Sequence, residues 1–288
     1  MFARISRGWA ITKASWSVLK QHPKLMLLPI ASSLALFTLL GIIGGGAFMG
    51  HKAGLFANQL TADEGYPLSL YAALFAVYFL CTFVIVFFNA AMVFCSLQAF
   101  NGEEPSLRRG LATAMSRLPQ ILAWSLLAST VGVILSAVQE FLKDKLGIFG
   151  SILGSLFEAS WAILTYFVVP VLVVDGVNPI EAVKRSTGIL KKTWGESLAG
   201  EGGMSAISFL LLFPVILLVV AAMVVFKATA PAVAFLFMAA AVPYAVGVIL
   251  VFATLGTIFR TGTYVYATTG QAPEAIGTDL VAGAFRTK

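Results

Sequence analysis

Six apolar runs, each long enough to cross a bilayer and nearly free of charge, leave this chain few ways to fold. They cover about 25–49, 68–98, 119–139, 148–174, 204–226 and 231–259. Roughly 20 apolar residues carry a helix across the hydrocarbon of a membrane. In hydrocarbon every backbone amide and carbonyl must find its partner within the chain, so runs of this length read as helices. The apolar–polar alternation of a barrel strand is missing from them. Charged residues make up 11% of the chain against 59% apolar, whereas a soluble domain carries about 25% charge. The mean hydropathy of +0.92 agrees. The sequence therefore predicts an all-α, polytopic membrane helix bundle, one domain over 1–288 with six transmembrane helices paired as three hairpins.

Gly-x-x-Pro occurs at Gly102–Pro105, Gly176–Pro179 and Gly270–Pro273, each where a hairpin returns to the same side of the membrane. Glycine closes a helix in the left-handed conformation, and proline suits the first turn of the next. These bends divide the chain into units of about 1–105, 105–179 and 179–273, with a tail over 274–288. The fifth and sixth runs are separated only by Lys227–Ala230, which demands a tight antiparallel turn.

Basic residues set the orientation. Fifteen of the nineteen lysines and arginines fall before the first run, after the second, after the fourth or after the sixth. Only Lys52, Lys143, Lys145 and Lys227 fall on the other side. The positive-inside rule then makes both termini cytoplasmic, which requires an even number of spans. The net charge of +6 is this sorted charge. It points to anionic headgroups rather than to nucleic acid. The first run is longer than the apolar core of a cleavable signal and has no small-residue cleavage site after it, so it is read as a span.

Stripes of apolar residues at helical spacing follow the bends. They are Leu107, Leu111, Met115 and Leu118 beside Arg108 and Arg109, then Ile180, Val183, Thr187, Leu190 and Trp194 beside Lys184, Arg185, Lys191 and Lys192. Ile5, Trp9, Trp16 and Leu19 form a similar face at the N-terminus. Basic amphipathic helices bordered by tryptophan lie in the headgroup plane. Lys184, Arg185, Lys191, Lys192, Arg108 and Arg109 are thus the candidate surface for lipid, or for a cytosolic or membrane protein partner. Asn178 is placed to cap its helix, with Glu181 returning the bond.

Inside the spans, Tyr78, Thr82, Asn89 and Ser96 share a face, as do Ser125, Ser129, Gly132 and Ser136. Ser151, Gly154, Glu158, Ala162 and Thr165 form a third stripe. Small residues let membrane helices approach closely, so these stripes are expected to pack together. Glu158 stands out as a carboxyl about 13 Å from Phe149 along an ideal helix. At that depth a charge costs on the order of 3 kcal/mol. It is read either as a neutral, hydrogen-bonded residue or as part of a pathway, with Asn89 as the second intramembrane candidate. Pro170, Pro214 and Pro243 are expected to kink their helices. The Gly41–Gly46 cluster marks either a close helix contact or an early end to the first helix.

No catalytic, cofactor or metal constellation emerges. A phosphate loop, an H-E-x-x-H and a G-x-S-x-G are all missing. Cys81 and Cys95 lie on one helix about 21 Å apart, too far for a disulfide. His22 and His51 fall on opposite sides of the membrane.

The stretch from Phe167 through Pro170 to Asp175-Gly-Val-Asn-Pro179, followed by Glu181–Ser186, resembles a group of uncharacterised multi-pass bacterial membrane proteins. The Trp16–Pro23 and Pro273–Arg286 segments are similar to the same group. A related pattern occurs in the membrane domain of some glycerophosphodiester phosphodiesterases, whose catalytic barrel has no counterpart here. The resemblance implies a six-helix cytoplasmic-membrane protein without hydrolase residues. The leading expectation is a non-enzymatic accessory or scaffold protein that organises lipid or partner proteins at the cytoplasmic face. The alternatives are a small-molecule or ion transporter or channel using Glu158, and a membrane-embedded enzyme.

Overall fold

The computed structural model describes residue 13 and residues 15–52, 68–227 and 231–269. Among these residues there is no strand. A helical segment over 15–21 and a short 3-10 turn at Pro23–Met26 lead into α1 (Leu27–Lys52) and α2 (Leu68–Phe100). Then come α3 (Leu107–Ser116), α4 (Leu118–Leu146), α5 (Ile148–Leu164) and α6 (Val168–Asp175). The long α7 (Pro179–Lys227) and α8 (Pro231–Thr269) complete the described chain. Among the described residues, six stretches are long and apolar enough to cross a membrane: Pro23–Gly50, Leu68–Phe100, Leu118–Leu146, Ile148–Asp175, Gly200–Val224 and Phe235–Thr269. They match the six predicted runs to within about four residues at each end, except that the third continues seven residues beyond 139 and the last ten residues beyond 259. Large apolar side chains such as Phe37, Leu68, Ile148 and Phe235 are exposed along these stretches. Exposed apolar side chains in such number along span-length helices suit lipid rather than water.

The chain forms two compact units. One comprises 30–94 and 107–190, with a core of Met92, Val93, Ile121, Phe167, Val168, Val171 and Leu172. Its central feature is the α4–α5 hairpin, turned through the single residue Gly147 at φ 58° and ψ −128°, a conformation open only to glycine. Beyond the turn, Gly150 packs against the Leu142 backbone carbonyl and Gly154 against Gln139, where an added Cβ would come within 2.5 Å of Cγ. Trp124 and Trp161 stack at 6.0 Å farther along the pair. Tyr78 meets Gly132, so the stripes of the second and third spans do touch. The fourth-span stripe packs only at its Gly150–Gly154 end, because Glu158 and Ala162 are exposed.

The fourth span is broken. Helix α5 stops at Leu164 and α6 starts at Val168, just ahead of Pro170, whose ring has no amide to offer the carbonyl of Tyr166. Ser186 of α7 repairs the interruption. Its hydroxyl donates to the Leu164 carbonyl at 2.8 Å and accepts from the Phe167 amide at 3.0 Å, with the side chain wholly buried. This contact also corrects the predicted surface stripe on α7. Ala182, Ser186 and Leu190 face the protein, while Ile180 is 63% exposed. On α3, likewise, Gly110 and Ala114 are buried and Met115 is exposed. Near the N-terminus Leu19 is buried and Trp16 exposed, so these two do not share an environment; Ile5 and Trp9 lie outside the described residues.

The other unit comprises 1–29, 95–106 and 191–288, described over the residues given above. Leu25, Ile258 and Phe259 are buried in it, and the Pro23–Met26 turn packs on α8. Gly200 lies against the Phe259 ring, leaving no space for a Cβ. Helix α7 passes through a non-helical Thr193, and both α7 and α8 run on through Pro214 and Pro243. Pro214 takes away the amide that Leu210 would use, and the Tyr244 hydroxyl donates to the adjacent Leu211 carbonyl at 2.8 Å. The Gly41–Gly46 segment does not end α1, and no added Cβ there would meet another atom within 4 Å.

Ser186→Ala removes both bonds at the α5–α6 break and strands two buried backbone groups. A stability loss of about 2–3 kcal/mol is expected, read as a lowered unfolding midpoint in detergent. An unchanged midpoint would show that the break needs no external partner.

Candidate functional site

Two of the three Gly-x-x-Pro bends are described, and in both the glycine closes its helix as predicted; Pro179 opens α7, whereas Pro105 lies two residues ahead of α3. Gly102 and Gly176 take left-handed φ angles of 73° and 64°. At the first bend, the Glu103 amide donates to the Gln98 carbonyl at 2.9 Å, the wide loop of a Schellman cap. The Gln98 side chain donates to Glu103 and accepts from the Ser106 amide, tying both arms together. At the second, Arg117 Nε donates to the Val173 carbonyl at 3.3 Å and Gln120 donates to the Gly176 carbonyl at 3.4 Å. Asn178 caps α7 by accepting from the Glu181 amide at 2.9 Å. Glu181, expected to return the bond, instead accepts from Arg185 Nε at 3.1 Å. Gly270–Pro273 lies outside the described residues.

The predicted cationic surface divides at this point. Arg185 is exposed, but its guanidinium also holds Asp175 at 2.7 Å. The hydrogen bonds from Asp175 first, and then Glu181, raise its pKa above the already high value of an arginine. A raised value keeps the group charged at every lower pH, so its contribution is lost only in strong alkali. Its charge is spent within the bend. Arg108, Arg109, Lys184 and Lys191 are exposed as expected. The side chain of Lys192 lies outside what is described.

Of the intramembrane candidates, Glu158 lies on the exposed face of α5, with no hydrogen bond or ion pair to a described residue. Asn89 is half-buried on α2 and likewise makes no hydrogen bond among the described residues. The two cysteines are free thiols. No group of metal-ligating side chains occurs among the described residues.

A second intramembrane carboxylate has a partner. Glu201, at the start of the Gly200–Val224 span, forms an ion pair with Arg260 of α8. Beside it lies a cavity of ≈ 310 Å³, lined by Glu201, Met204, Ser205, Ser208, Phe209, Leu212, Phe252 and Gly256. Sequence reading assigned Arg260 to the cytoplasmic tail and began the fifth span at 204, so it missed the pair. The signal was present. After Arg260, the residues Thr261–Thr269 contain neither proline nor glycine beyond Gly262, and α8 continues through them. A helix that does not stop carries its arginine into the span.

Fold and site together define an all-helical membrane protein with six span-length helices, paired charges at the end of one hairpin and no assigned chemistry. The chain belongs to a family of unknown function (DUF6159), which matches residues 68–274. No curated protein and no solved structure matches it. The likeness to the membrane domain of glycerophosphodiester phosphodiesterases finds no support in these comparisons.

A double-mutant cycle over Glu201→Gln and Arg260→Gln is expected to give a coupling of about 1 kcal/mol. That value is typical of polar pairs in membrane helices and of part-exposed ion pairs. Additive effects on the unfolding free energy would show that the two charges act independently.

Proposed function

We propose that the protein is a non-enzymatic accessory or scaffold protein of the bacterial inner membrane, organising anionic lipid at the cytoplasmic face. Both termini face the cytoplasm in this reading. The observation that carries it is the division of faces on α3 and the start of α7. Gly110, Ala114, Ala182, Ser186 and Leu190 are held in the protein, while Arg108, Arg109, Lys184 and Lys191 point outward. Cations mounted on packed helices are held at fixed positions, so they attract anionic headgroups without the entropy cost of ordering a loose segment. Each cation near an anionic leaflet contributes about 1 kcal/mol. Asp175 and Glu181 withdraw Arg185 from this set.

The test is lipid selectivity around the reconstituted protein. Spin-labelled phosphatidylglycerol is expected to be immobilised at its surface in preference to phosphatidylcholine. Replacing Arg108, Arg109, Lys184 and Lys191 together by glutamine should bring the two lipids to equal immobilisation. Equal immobilisation by the unaltered protein would overturn the reading. So would labelling from outside the cell of a cysteine placed at Arg109, since this residue is required to face the cytoplasm.

A further inference from the structure

Helix α5 sorts its uncovered residues by size. On an ideal helix Ser151, Ser155, Glu158, Ala162 and Thr165 fall within about 40° of one line that runs for roughly 21 Å. Ser155, Glu158 and Ala162 are exposed on that line, and Ser151 and Thr165 are half-buried. Ile152, Leu156 and Phe157 are exposed as well, but they are turned about 100° or more away from it. The contact with α4 uses a different edge, through Gly150 and Gly154, about 60° to 100° to one side. Large apolar side chains suit acyl chains, so the bilayer covers the Ile152, Leu156 and Phe157 side. A line of small residues instead leaves room for another helix to come close.

The carboxyl on the line decides what that helix must bring. Glu158 makes no hydrogen bond or ion pair with a described residue. The hydroxyls of Ser155 and Thr165 offer it no proton, because they donate to the Ser151 and Trp161 carbonyls of their own helix at 3.0 and 2.8 Å. An ionisable group at this depth is costly until it is paired. A second copy of the chain supplies the pairing. Copies of a membrane protein insert in one orientation, so a two-fold axis relating them runs along the membrane normal. Residues beside that axis meet their own counterparts at equal depth, and Glu158 meets Glu158. A carboxyl that holds its proton both donates and accepts, so it is complementary to itself. Two ionised carboxylates would repel, and one proton held between them is enough to join them. An ion pair between copies has no free cation at this depth. Arg260 is engaged with Glu201, and the other described lysines and arginines lie outside the spans or near their ends.

We infer that this line on α5 is a self-association surface, on which a second copy of the chain packs with the two Glu158 carboxyls hydrogen-bonded across a two-fold axis. The inference is independent of the cationic surface, because none of these residues belongs to it. The experiment reconstitutes the full chain, with one fluorophore at its C-terminus, in liposomes of phosphatidylethanolamine and phosphatidylglycerol over a range of protein densities. Two-step photobleaching is expected to rise with density. Glu158→Leu should weaken the association about tenfold, the worth of an interhelical polar bond. Glu158→Gln should keep most of it, since an amide also donates and accepts. Ala162→Phe fills the line while leaving the carboxyl in place, and should separate the copies. A disulfide between copies locates the contact. With Cys81 and Cys95 replaced by alanine, Ala162→Cys should cross-link two chains, and Leu153→Cys, about 180° around the helix, should not. Single-step bleaching at every density, or unchanged association in Glu158→Leu, would overturn the surface. Lost association in Glu158→Gln would do so as well, pointing to a cationic partner. So would a disulfide through Leu153→Cys without one through Ala162→Cys. Neutralising Arg108, Arg109, Lys184 and Lys191 should leave the pair of chains intact, and Glu158→Leu should leave the lipid preference unchanged, so the two readings fail separately.

Discussion

Hydrocarbon offers no hydrogen bonds, so wherever a membrane helix stops, bends or loses an amide to proline, another part of the chain must supply the missing partner. In this protein those repairs are made by particular side chains. Ser186 answers both sides of the α5–α6 break. Tyr244 reaches the carbonyl next to the one that Pro214 frees. Arg117 and Gln120 take the last carbonyls before the second bend, and Gln98 spans the first. The Ser186, Tyr244, Arg117 and Gln120 repairs each join two helices, so they add tertiary contacts where the backbone is interrupted.

This requirement explains why the helices beside the bends are not loose surface cylinders. A helix that lends Ser186 to its neighbour must bury the face that carries it, and Ala182 and Leu190 are buried along with it. Helical spacing identifies several candidate stripes, but it does not say which of them will face protein. The choice follows from a hydrogen-bond demand, because a stranded buried amide or carbonyl costs about 1–3 kcal/mol. The outward cations are then a consequence of the inward serine. Charges close to an acidic residue, such as Arg185 beside Asp175, are consumed in holding the bend.

Glu158 and Glu201 illustrate how context divides identical chemistry. Glu158 stands out in sequence because it is a carboxyl well inside an apolar run, yet it lies on an exposed face without a partner among the described residues. Glu201 attracts no notice, since it sits in a glycine-rich stretch at the edge of an apolar run. It is nevertheless the one that joins a guanidinium and lines a cavity. Isolation in sequence measures how expensive a charge is, while function depends on what can reach it.

The sequence by itself determined the helical class, the six spans and the two described bends, because bilayer thickness, backbone satisfaction and the conformations open to glycine and proline are local constraints written in consecutive residues. It also made the thiols too distant to pair, by simple helix rise. Tertiary structure alone decided which stripes face inward, that Ser186 answers the α5–α6 break, and that α8 carries Arg260 to Glu201, 59 residues away in the chain. Those outcomes depend on which helix lies beside which. Periodicity records a residue's position around its own axis and holds no information about the neighbour it will meet.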